Sequence, residues 1–108
     1  MAIGEGSSDG GTQQDVSVDN TIRIRRPGQF RVLLLNDDFT TMEFVVHILE
    51  TIFNKSPSES VQIMLKIHNE GRGVCGLYNK QVAEAKVTQV HTEAQVAAFP
   101  LRCTMERI

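Results

Sequence analysis

Two helix-start signatures stand sixteen residues apart, Thr40-Thr41-Met42-Glu43 and Ser56-Pro57-Ser58-Glu59, close behind one short apolar run, Phe-Arg-Val-Leu-Leu-Leu at 30–35. Both are capping boxes: the first hydroxyl can accept the amide three residues on, while the Glu carboxylate returns to the cap amide. The second box adds Pro at the first helical position, where a missing amide donor costs nothing. The apolar run lies between Gly28 and the turn formers Asn36-Asp37-Asp38, which fits a buried strand ending in a turn. The chain must therefore open strand, helix, helix, and the rest has to close a sheet beneath that pair.

In the first helix Val45, Ile48, Leu49 and Ile52 recur at three- and four-residue steps, and Asn54 and Lys55 suit its end. In the second the periodicity predicts an apolar face of Val61, Met64, Leu65 and then His68, ended by Gly71. Val74, Cys75, Leu77 and Tyr78 read as a short strand with Gly73 and Gly76 where backbone approaches something closely. Asn79 caps a third helix with a buried stripe of Ala83, Val87, Val90 and Ala94, broken by Pro100. A last strand alternates, with Leu101, Cys103 and Met105 on one face and Arg102, Thr104 and Glu106 on the other. The expected fold is α+β: β-α-α-β-α-β, a two-layer sandwich with a three-stranded antiparallel sheet covered on one face by three helices.

With 108 residues there is room for one domain. Residues 1–22 hold four acids, no Lys or Arg and hardly any apolar side chains, so this stretch cannot bury enough surface to offset chain entropy. Residues 1–27 are expected to be a disordered extension and linker, and 28–108 the folded domain, with eight basic and nine acidic side chains. A formal net charge of -2 excludes nucleic acid as an electrostatic partner. The longest apolar run, 32–35, is far below the ~20 residues needed to span a bilayer. No basic-then-apolar leader opens the chain, so a cytoplasmic location is expected. Cys75 and Cys103 form no C-x-x-C and have no His at zinc spacing, leaving two buried thiols or, if their strands prove to be neighbours, a disulfide. No metal or cofactor is expected.

Asn36-Asp37-Asp38 is the conspicuous polar cluster, at a strand end where binding groups often sit on a rigid frame. The same residues make an ordinary turn, and the sequence pattern leaves both readings open. His68 is either a satisfied structural histidine or a ligand-facing one. Met42 and Met64 are either core or an adaptable apolar pocket. His47 and His91 read as surface or cap-proximal groups. No G-x-S-x-G, P-loop or H-E-x-x-H is present, and neither Thr40 nor Cys75 has an identifiable base, so an enzyme is not expected.

Five blocks in order resemble one family: L-L-N-D-D-F-T-T-M-E-F-V (34–45), M-L-K-I-H-N-E-G (64–71), V-C-G-L-Y (74–78), V-A-E-A-K-V (82–87) and F-P-L-R-C-T-M-E (99–106). They are similar to ClpS, the adaptors of bacterial Clp proteases, over roughly residues 28–108. The resemblance implies an N-degron receptor that binds free amino termini beginning with Leu, Phe, Tyr or Trp and delivers them to a AAA+ unfoldase. It implies α-amine binding by Asn36, Asp37 and His68, a pocket of Met42, Val45, Met64 and Ile67 with Asp38 and Thr40 at its rim, and Met42 as a gate against β-branched residues. Contact with the unfoldase's amino-terminal domain falls to Gln81, Glu84 and Lys86, where Gln81 replaces the Glu of many members. Thr41 stands where Pro is common. The extension would serve delivery and not recognition, and a monomer is expected. An interaction domain resembling the ribosomal stalk protein's carboxy-terminal domain is the alternative, and it would lack an amine site.

Overall fold

Residues 28–108 are described in the computed structural model, so the expected extension 1–27 lies outside the described residues. The elements run β1 (Gln29–Leu35), α1 (Met42–Thr51), α2 (Pro57–Glu70), β2 (Arg72–Asn79), α3 (Lys80–Ala97) and β3 (Arg102–Arg107), the expected order. The sheet order is β2-β1-β3 and both pairings are antiparallel. The most apolar strand thus takes the centre, where Val32 and Leu34 face the helices and are fully buried.

Leu33 points to the other face yet is only 2% exposed. Arg31 reaches Glu106 at 3.4 Å and Arg72 reaches the same carboxylate at 3.0 Å. Glu106 sits opposite Arg31, and Arg72 opposite Leu35, so the second pair crosses β1 diagonally over Leu33. The ion pairs are half-exposed and add little energy themselves; their aliphatic stems supply the cover.

Helix caps follow the sequence with one correction. Ser56 Oγ accepts the Glu59 N–H at 3.2 Å and Asn79 Oδ1 accepts the Val82 N–H at 2.9 Å. Asn54 takes the left-handed conformation (φ 55°) and turns the chain back, so that the Lys55 N–H donates to the Leu49 carbonyl at 3.0 Å and satisfies one of the helix's last acceptors. The first helix, however, is capped by Thr41 and not Thr40: Thr41 Oγ1 accepts the Phe44 N–H at 3.2 Å. Thr40 is engaged by Asp37, so the cap moves one residue on, and Thr41, where the resemblance leads one to expect Pro, supplies a hydroxyl cap instead.

The buried face of α2 also differs from the expected stripe. Ser60, Met64 and Ile67 face inward, while Val61, Leu65 and His68 are exposed. In α3 the stripe is as read, with Ala83, Val90 and Ala94 buried and Val87 partly so. His91 is no surface group: its Nε2 accepts the Cys103 N–H at 3.0 Å, tying α3 to β3. Cys75 and Cys103 are buried free thiols on β2 and β3, and β1 lies between them. Two strand spacings exceed the Cα separation a disulfide permits, which settles the pairing question left open above. Burial pushes both thiols up to about 12, so neither is a reactive thiolate.

Candidate functional site

Where β1 ends, its chain must turn outward before α1 can begin, and this turn is built from its own polar residues. The Asn36 N–H donates to the Gly71 carbonyl at 2.9 Å, tying the loop to the C-cap of α2. Gly71 holds φ 93°, a left-handed conformation that a side chain would strain. Asp37 then gathers the loop around itself. Its Oδ1 accepts the Phe39 N–H at 2.8 Å and the Thr40 N–H at 2.7 Å, and its Oδ2 accepts the Thr40 hydroxyl at 2.7 Å. Burial acts to raise the carboxyl's pKa, but the hydrogen bonds from Thr40 and Phe39 outweigh it and hold the group below its ordinary value. A carboxylate is therefore fixed at the loop's inner side, with lone-pair capacity left on Oδ2.

This loop closes one end of a cleft of about 220 Å³. Its polar wall is Asn36, Asp37, Asp38, Thr40 and, from the last turn of α2, His68. Its apolar floor and wall are Met42 and Val45 from α1 and Met64 and Ile67 from α2. Val45, Met64 and Ile67 are at most 9% exposed, whereas Met42 stands at the mouth, 43% exposed. All nine residues expected at the binding site therefore converge, although they come from three elements and span 33 positions of chain. Polar acceptors at one end and a dry floor at the other suit a ligand that is cationic at one point and apolar beside it.

The floor is held from behind by a residue that sequence patterning marked only as a close approach. A Cβ on Gly73 would stand 2.8 Å from Ile67 Cγ1, inside contact distance. Gly73→Ala should therefore push Ile67 into the cleft and cost about 1–3 kcal/mol of stability, read as a lower denaturant midpoint together with weaker ligand binding. Equal stability and binding would show that Ile67 gives way freely.

Gln81, Glu84 and Lys86 lie elsewhere. Asn79, just before α3, pairs with Gln29, so the first turn of that helix is at the end of the sheet opposite the cleft. Gln81 and Glu84 are exposed. Lys86 is half-buried: its Nζ donates to the Ile52 carbonyl at 2.7 Å, capping the end of α1, and sits 5.6 Å from the Tyr78 ring centroid. It therefore braces the fold as well as offering charge. A second cleft of about 320 Å³ lies by Arg31, Leu33, Lys66 and Arg72, but both its arginines are already engaged by Glu106. Among the described residues no cluster of His, Cys, Asp or Glu is arranged to hold a metal ion, and no helix is long and apolar enough to cross a membrane.

Fold and cleft together define a small α+β domain with a cleft that is polar at one end and apolar at the other. Residues 25–104 match the sequence model of ClpS, described as ATP-dependent Clp protease adaptor protein ClpS. The ATP-dependent Clp protease adapter protein ClpS of Parvibaculum lavamentivorans is 52% identical over 102 residues, covering 94% of this chain and 93% of that protein. Its namesake from Desulfatibacillum aliphaticivorans is 53% identical over 92 residues, covering 85% and 88%. The solved structure of Agrobacterium tumefaciens ClpS2 bound to L-phenylalaninamide superposes with a TM-score of 0.74 at 34% identity, covering 77% of this chain and all of that one. The chain belongs to the ClpS family of Clp protease adaptors.

Proposed function

We infer that this chain is a Clp protease adaptor, itself not an enzyme, that receives substrate proteins by a free amino terminus bearing Leu, Phe, Tyr or Trp. The observation that carries this reading is the cleft, with three acceptors at one end and an apolar floor sized for one large side chain. The ligand of the Agrobacterium relative, L-phenylalaninamide, is a Phe residue with a free α-amine and a blocked carboxyl, so it stands for the first residue of a chain.

An α-ammonium has three donors and one charge, and Asn36, Asp37 and His68 supply acceptors from different directions with negative charge among them. His68 must present an unprotonated ring nitrogen to take part. The first side chain lies against Val45, Met64 and Ile67, with Met42 crowding any branch at Cβ. Asp38 at the mouth repels a free carboxylate, which favours a chain terminus over a free amino acid. Docking on the amino-terminal domain of the AAA+ unfoldase is assigned to Gln81, Glu84 and Lys86, on the end of the domain away from the cleft. Residues 1–27 are assigned to delivery, since they join β1 at that same far end. The chain works as a monomer, in the cytoplasm, without a cofactor. The relatives above are Clp adaptors, and the ribosomal-stalk reading finds no support.

In a reconstituted Clp protease, adding the chain should accelerate degradation of a Leu-initiated fluorescent protein and leave the same protein starting with Ser unaffected. Equal acceleration of both, or of neither, would refute the adaptor reading.

A further inference from the structure

Beyond the cleft mouth, α2 keeps two more apolar side chains in water. Val61 and Leu65 are 42% and 43% exposed. They are four residues apart, and Leu65 lies three before His68, so the three stand above one another on one side of the helix. That side adjoins the start of α1, because Met42 shares the cleft wall with Met64 and His68 and is itself 43% exposed. Single exposed apolar residues are ordinary on any surface. These form a ridge that begins where the cleft ends.

The course of a bound chain leads there. With its α-amine at Asn36, Asp37 and His68 and its first side chain on the floor, a peptide has its second Cα only about 3.8 Å from the first. Its second side chain must lie outside the cleft, within reach of the rim. We propose that Leu65 and Val61, with the exposed part of Met42, form a shallow second subsite that takes an apolar side chain at the second residue of the substrate. This rests on reading the cleft as an amino-terminus receptor. Burying part of one aliphatic side chain there should tighten binding about fivefold.

Fluorescence anisotropy of labelled Leu-Leu and Leu-Ser peptides, otherwise identical, tests the subsite as a ratio of affinities. The wild-type ratio should be about five, and Leu65→Ser should bring it close to one; a Val61→Ser change should lower it by less. The ratio cancels any loss of folded protein, which circular dichroism would reveal separately. The other exposed apolar group near the mouth is Phe39, 76% exposed on the loop side. A ratio of one in the wild type, a ratio unmoved by Leu65→Ser, or one abolished instead by Phe39→Ala would overturn the assignment while binding of Leu-Ser persists. Failure of every Leu-initiated peptide to bind would instead remove the receptor reading, and the subsite with it.

Discussion

Acetylating the α-amine of a Leu-initiated peptide should weaken its binding by more than about 2 kcal/mol, roughly thirtyfold. The reason lies in the polar end of the cleft. Three acceptors converge there, and a neutral acetamide offers them one N–H, no charge and added bulk, leaving the Asp37 carboxylate facing an apolar methyl group. Charge-assisted hydrogen bonds are about twice as strong as neutral ones, and unpaired acceptors that have lost water keep their desolvation cost. Because Asp37 sits below its ordinary carboxylate pKa, it stays ionised at neutral pH, and the loss is expected across the range in which the protein is handled. Anisotropy titrations of the free and acetylated peptides measure it. Equal affinities would show that the cleft reads the side chain alone.

Asp37→Ala should remove binding more severely, by about 3 kcal/mol, and also loosen the domain. Three hydrogen bonds gather on this carboxylate, so its loss frees two backbone amides and the Thr40 hydroxyl at once. The loop is partly in water, which limits the structural cost to about 1 kcal/mol. Asp37→Asn separates the two effects: the amide oxygen can still accept the loop amides, so stability should largely return while affinity does not. A pH series adds a signature. The folded carboxyl titrates below its unfolded value, so its stabilising contribution is full above about pH 4 and is lost as pH falls through the folded value. The gap between wild-type and Asp37→Ala melting temperatures should therefore narrow below pH 4. An Asp37→Asn protein that binds as the wild type does would show that charge at this position is dispensable.

Legibility in the sequence ended where neighbours in space competed for the same groups. The pattern Thr40-x-x-Glu43 satisfies a capping box on paper, yet the Thr40 hydroxyl and amide both reach Asp37, three residues back, and the cap passes to Thr41. Two stripes overlap on α2, one through Val61 and Leu65 and the other through Ser60 and Ile67. Hydrophobicity favours the first. Packing chose the second, because Gly73 leaves room for Ile67 against β2 while Leu65 stays 43% exposed. His91 reads in sequence as a surface or cap-proximal group because nothing local shows that the Cys103 amide, in another element, needs an acceptor.

The sequence by itself determined the order of elements, most of their ends and the chemistry available at the cleft. These follow from local physics: side-chain periodicity, caps within four residues, and the conformations open to Gly, Pro and Asn. The resemblance carried by its five blocks added the expected roles, which chemistry alone leaves open between turn and site. Only the tertiary structure decided that β1 is the central strand, that Asn36 hangs from the Gly71 carbonyl, and that Lys86 is bound into the end of α1 while Gln81 and Glu84 are exposed. Each of these is a contact between distant parts of the chain, formed because a buried strand needs cover on both sides and every shielded donor needs an acceptor. Such needs are visible in one dimension, but which partner meets them is settled only when the layers close.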